Sequence, residues 1–167
     1  MRLALFAVLL GVACTSPTAP RRASGTADQA RSQTEEALPE EAPRLVASLQ
    51  RGPCLGVCPV YKVEAFDDGT VRFTGGRFVG HPGVSTGHLS PAQLADLRAV
   101  FARFNFDELK SYENTQTSDL PWVTLSNGRK TLRHYQGDGR APASLTALEK
   151  ELDQLMHTAQ WLADPDR

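Results

Sequence analysis

Two runs of alternating apolar and polar residues, Val60 to Phe66 and Thr70 to Thr74, flank Asp67-Asp68-Gly69. Alternation sends successive side chains to opposite faces, so the pair reads as an antiparallel hairpin. Two loops compete. With Asp68-Gly69 alone as the loop, Glu64 lies opposite Phe73. With a three-residue loop and Gly69 in the left-handed conformation, Ala65 faces Val71 and Val63 faces Phe73. The second arrangement gathers Tyr61, Val63, Ala65, Val71 and Phe73 on one face. It leaves Lys62, Glu64, Arg72 and Thr74 on the other, with Glu64 across from Arg72. A slip of one residue inverts every side chain, so the segregation selects the longer loop. Whatever else the chain forms must cover that apolar face.

The cover is readable downstream. Leu45 to Leu49 is a short strand. Gly75-Gly76 breaks the alternation before Arg77-Phe78-Val79, as a bulge or bend does, and Val84 to Leu89 reads as a further short strand. Ser90-Pro91-Ala92-Gln93 opens a helix: Ser90 caps it, Pro91 fits its first turn and Gln93 completes a capping box. Leu94, Leu97, Phe101 and Phe104 then form a stripe at helical spacing. Asn127-Gly128 predicts a second hairpin with a two-residue turn, pairing Val123 with Leu132 and Leu125 with Lys130. His134 then shares the Leu132 face, and Trp122 and Tyr135 share the opposite one. Pro142 begins a last helix with Leu145, Leu148, Leu152 and Leu155 on one side, and Trp161 fastens its end. Hairpin-joined strands with few helices define an α+β fold: an antiparallel sheet with two helices packed on one face.

The chain has 167 residues, which is one domain by length, and a formal net charge of −1. With 18 Lys and Arg against 19 Asp and Glu, no basic footprint for nucleic acid exists. Residues 1–14 read as a signal peptide: Arg2 is the positive segment and Leu3 to Ala13 the apolar one, shorter than a membrane span. Val12-Ala13-Cys14 resembles a bacterial lipobox, in which the cysteine is acylated, although Gly11 stands where Leu is customary. An ordinary cleaved signal with an incidental cysteine is the plainer alternative. Thr15, in place of an Asp, favours the outer membrane. These features predict a palmitate-bearing lipoprotein of the bacterial cell envelope facing the periplasm. Residues 15–43 hold no aromatic residue and only Leu38 among the larger aliphatics. Such a stretch cannot offset its ordering entropy and reads as a disordered tether. The folded domain spans 44–162, and 163–167 is a tail.

With Cys14 lipidated, Cys54 and Cys58 remain. Export makes a disulfide between them the default. In a strand, residues four apart lie ~13 Å from each other, beyond the ~7 Å that a bridge allows, so this segment must turn. Pro53 and Pro59 bracket it and Gly56 gives it freedom. The alternative is a thiol pair for redox work or Cu(I), because Cys-x3-Cys-Pro resembles the metal-binding motif of the Sco-type copper chaperones. His81, His88 or His134 would then complete the site. Against it, the chain lacks a βαβ start and a helix directly after the motif. Zinc lacks a second cysteine pair.

Arg51-Gly52-Pro53-Cys54-x-Gly56-x-Cys58-Pro59-Val60-Tyr61, followed by Asp68-Gly69-Thr70-Val71, resembles the signature of the bacterial family called domain of unknown function 6438. Thr117-Ser118-Asp119-Leu120-Pro121 and the closing helix with Trp161 are similar too. The resemblance spans about residues 45–162. It implies a small exported domain, often lipid-anchored, and no established activity.

The remaining candidates read as structural. Asp67 and Asp68 suit a hairpin turn, and Asp119 precedes Leu-Pro as a turn former. Ser85, Ser90 and Ser126 lack the Gly-x-Ser-x-Gly setting of a hydrolase nucleophile. His134 on an apolar strand face reads as a hydrogen-bonded core residue. Trp122 and Tyr135 mark a possible binding surface if their face is bare, and core if a layer covers it. The area a small domain needs favours core. The sequence therefore predicts a non-enzymatic module that binds an envelope protein or ligand, with no cofactor and no catalytic residues. The alternatives are the periplasmic thiol or copper protein, and an inhibitor of an envelope or host enzyme.

Overall fold

A computed structural model describes residues 41–113, 120–137 and 139–163. The leader and the tether as far as residue 40, Asp119, and residues 164–167 of the tail lie outside them. The described strands are β1 (Leu45–Arg51), β2 (Tyr61–Phe66), β3 (Thr70–Gly75), β4 (Gly83–His88), β5 (Trp122–Ser126) and β6 (Thr131–Tyr135). They form one antiparallel sheet in the order β4-β3-β2-β1-β5-β6. The helices are α1 (Pro91–Arg103), α2 (Ala143–Leu155) and the short α3 (Ala159–Leu162), with a 3-10 turn at Phe106–Glu108. The fold class is thus α+β, as the hairpin pattern requires.

The first hairpin takes the three-residue loop. Ala65 pairs with Val71, Val63 with Phe73 and Glu64 with Arg72, and Gly69 has φ 88°. The apolar face of the sheet lies under the helices: Leu49, Val63, Ala65, Phe73, Val123 and Leu125 are fully buried against Leu97, Val100, Leu145, Leu148 and Leu152. Each large aliphatic side chain taken out of water this way contributes about 1.5–3 kcal/mol. Both halves of the α1 capping box are present, with Ser90 Oγ accepting from Gln93 N and Gln93 Oε1 accepting from Ser90 N. Trp161 stacks on Phe73 at 5.1 Å, and Phe73 on Tyr61 at 5.4 Å, so the last helix is fastened to the sheet.

Two expectations are corrected. The second hairpin turns through four residues, not two. Leu125 pairs with Leu132 and Val123 with His134, a shift of two positions from the predicted pairing. Asn127 and Lys130 hold the wider turn from its two sides. The Asn127 side-chain oxygen accepts from the backbone N–H of Arg129 and Lys130, and its own N–H reaches Lys130 O. This local ring competes with the tight turn. Lys130 is held out of the ladder by Asp107 O and Leu109 O, each 2.5 Å from its ammonium. A shift of two preserves the faces, so His134 still points under the helices. The second correction concerns Trp122 and Tyr135. They are half-buried on the face away from the helices and are not core.

Candidate functional site

β1 ends at Arg51 and β2 begins at Tyr61, and the two residues are register partners. Between them runs the Pro-bracketed loop. Cys54 and Cys58 are joined by a disulfide with Cα atoms 5.9 Å apart, so the segment does turn back on itself. The ring pushes Leu55 and Val57 into solvent, 85% and 79% exposed. With the two sulfurs joined, neither is a thiolate, the form that holds Cu(I). The histidines do not gather there. His88 lies at the far end of β4, opposite Thr70, and His134 is buried under α2. His81 sits in the β3–β4 connection, where its N–H donates to Trp161 O. Among the described residues, no three His, Cys, Asp or Glu side chains come together as a metal ion would require.

The base of the loop is clamped from below. Alternation along β1 sends Arg51 toward the helices, and there it meets α2. Its Nε donates to Tyr61 Oη at 2.8 Å, Nη1 to Glu149 Oε2 at 2.9 Å and Nη2 to Asp153 Oδ2 at 2.7 Å. Tyr61 Oη donates to Asp153 Oδ1 at 2.7 Å. The network continues inward. His134 Nε2 lies 2.5 Å from Glu149 Oε1, Gln136 donates to Glu149 Oε2, and Thr158 donates to Asp153 Oδ1. Burial disfavours the Glu149 carboxylate, yet the bonds from His134 and Gln136 and the Arg51 charge overcome this and hold its pKa below the ordinary range. Burial likewise opposes the Arg51 charge, but Tyr61, Asp153 and Glu149 together raise its pKa. For Tyr61, burial and Asp153 outweigh Arg51 and push the phenol up. The loop thus stands on a hydrogen-bonded pedestal of paired polar side chains. The side chains of His134 and Glu149 are 2% and 1% exposed, so the dyad has no surface to offer a substrate.

This pedestal was hidden in the sequence but not signless. Glu149 and Asp153 fall within the Leu145, Leu148, Leu152 stripe, where a solvated helix face would not place them. Arg51 continues the buried positions Ala47 and Leu49. Three charged residues on inward-facing positions predict mutual pairing.

Among the described residues, the remaining exposed large hydrophobics share the loop's end of the sheet. Phe78, 49% exposed, occupies the β3–β4 connection with a left-handed φ of 59°, and Val84, 68% exposed, lies at the start of β4. The connection is tied to the disulfide loop by Val60, whose N–H donates to Arg77 O and whose carbonyl accepts from Gly76 N. Arg77 lies over the Phe78 ring. Trp122 borders the same end. Gly52 N donates to Trp122 O, and the indole lies so close that a Cβ on Gly52 would sit 2.0 Å from it. Arg133 stacks on that indole at 4.5 Å and reaches toward Tyr135. Its buried Nε has no hydrogen-bond partner.

The two aspartates of the first turn act locally. Asp67 binds the Arg44 backbone and guanidinium, and Asp68 accepts from Thr70 N and Oγ1. Ser126 bonds within its own turn.

An antiparallel α+β domain crowned by a disulfide-closed loop is therefore the class of protein defined here. The family model described as Domain of unknown function (DUF6438) matches residues 46–156, and the chain belongs to that family. No curated protein matches the chain.

Proposed function

We propose that this chain is a non-enzymatic binding module of the bacterial cell envelope. It is exported by the leader, anchored through acylated Cys14 to the outer membrane on the periplasmic side, and grips an envelope protein or ligand with the loop end of its sheet. The observation that carries the reading is the exposure of Leu55 and Val57 on a covalently closed ring whose base is fixed by Arg51 and Tyr61. Apolar side chains held out in water are unfavourable unless something covers them. A ring that is already ordered loses little conformational entropy when it docks. Phe78 extends the apolar area at the same end, whereas the opposite end carries Asp67, Asp68, Asn127 and Gly128.

The test is photo-crosslinking in intact cells with benzoylphenylalanine at Leu55 or Val57, and at Asp68 as the far-end control. Discrete adducts at the first two positions, lost in the Cys54→Ser/Cys58→Ser chain, are expected. Equal labelling at Asp68, or none at the ring, overturns the reading. Anchoring is checked separately. Metabolic labelling with palmitate should mark the chain and disappear in Cys14→Ser.

A further inference from the structure

The sheet has two outer strands, and they are treated differently. β6 is flanked on its outer side: Tyr112 N donates to Arg133 O at 2.8 Å, Arg133 N donates to Ser111 Oγ at 3.0 Å, and Tyr112 bridges to His134. β4 has no such cover. Among the described residues, nothing pairs with its outer side. Exposed edges are normally blunted by charged side chains, proline or a bulge. β4 reads Gly-Val-Ser-Thr-Gly-His and has none of these, and its register with β3 runs unbroken from Thr70–His88 to Gly75–Gly83.

We propose that β4 pairs antiparallel with β4 of a second copy of this chain, about a two-fold axis at Thr86, making one continuous sheet. Residues directly opposed in an antiparallel pair share a face, so a two-fold axis must fall on a residue. Centred on Thr86, it sets Thr86 against its twin, Val84 against His88 and Ser85 against Gly87. Centred on Ser85, it brings Pro82 opposite His88, and proline has no N–H to give. The Thr86 register opposes no two charged side chains, and it covers the exposed Val84. The nearest charge is Arg72, one strand inward and paired with Glu64. Its twin would lie three strand spacings away, ~14 Å, beyond the ~8 Å screening length at physiological salt.

The choice of a second copy over a foreign peptide rests on this self-complementarity, which an isologous contact demands. It rests also on the asymmetry of the edges. A chain with one open edge closes at two copies, whereas two open edges would add copies without limit. This inference stands on β4 alone and does not depend on what the disulfide loop binds.

The test uses the full chain in cells, with an added oxidant so that the result does not hinge on the compartment. Thr86→Cys is expected to give a disulfide-linked dimer, with the bond mapped by mass spectrometry to the introduced cysteines. The double substitution Val84→Cys/His88→Cys should give the same dimer. Asp96→Cys, exposed on α1, serves as the background. Adding Thr86→Lys to the Val84→Cys/His88→Cys chain sets two ammonium groups face to face and should reduce the linked dimer at least tenfold. Yields at β4 no greater than that of Asp96→Cys overturn the proposal. So do adducts at β4 exclusively with other proteins, which would mark the edge as a peptide acceptor. Far-UV circular dichroism and an intact Cys54–Cys58 bond confirm that each variant is folded.

Discussion

Arg51 is the residue on which the loop end depends, because it touches Tyr61, Glu149 and Asp153 at once. Replacing one partner of a buried ion pair leaves the others charged and unpaired, at a cost of about 3–5 kcal/mol. Arg51→Met should lower the unfolding free energy by that amount in denaturant titration. Tyr61→Phe removes a single hydroxyl that donates to Asp153 and accepts from Arg51, and should cost about 1–3 kcal/mol. Gly52→Ala drives a methyl into the Trp122 indole and should cost about 1–3 kcal/mol, as overpacking does. A drop in tryptophan fluorescence anisotropy or a shifted emission maximum would report the displaced ring. In the sequence, Arg51, Gly52 and Tyr61 stand out only as members of the cysteine signature, and Trp122 only as one of two candidate surface aromatics. Sequence periodicity marks which positions point inward, but it cannot say which inward charges meet, because the pairing joins β1 to α2 across most of the chain.

At the scale of elements, the disulfide and the pedestal do different work. Closing a five-residue ring restricts the unfolded chain by only about 2 kcal/mol in the chain-entropy model. Cys54→Ser/Cys58→Ser should therefore lower stability by at most that much and leave the sheet intact. Hydrogen exchange should rise at Leu55 to Cys58 and stay slow at Val63 and Leu125. Loss of the whole fold would show that the bond holds more than a bend. The elements themselves were largely legible. The first hairpin, the α1 cap, the α2 stripe and the helix-covered face all follow from alternation, capping residues and helical spacing. The second hairpin shows the limit of such reading. Asn-Gly favours a tight turn locally, but Lys130 is drawn to the carbonyls of Asp107 and Leu109, and a contact with a distant segment outbids the dipeptide. Trp122 and Tyr135 show a related limit. The face of a strand follows from alternation, whereas what covers that face depends on where every helix goes.

For the whole molecule, the charged network makes stability depend on pH with a definite sign. The folded pKa values of Glu149 and Glu64 are held below the ordinary glutamate value, in each case against the effect of burial, by His134 and Arg51 for one and by Lys62 and Arg72 for the other. Their contribution is complete above the unfolded value of about 4.3 and is lost as pH falls through the folded values. The part of the unfolding free energy that these two carboxylates supply should accordingly be undiminished down to about pH 5 and fall below it. In Glu149→Gln, the acid limb should be shallower even though the neutral value is lower. An unchanged slope would show that Glu149 does not titrate with unfolding. The family assignment, the sheet and the two main helices agree with the sequence reading.

Among the described residues, β1 is the earliest strand and yet occupies the middle of the sheet, where Ser48 meets Glu64 on one flank and Ser126 on the other. A polypeptide delivered amino-terminus first therefore presents its centrepiece long before the second flank has been made. Until Trp122–Ser126 arrives, the nascent sheet has a raw inner border of unsatisfied amides and carbonyls, the kind of border that invites stray association. A chain stopped short of Trp122 would keep that border open for good.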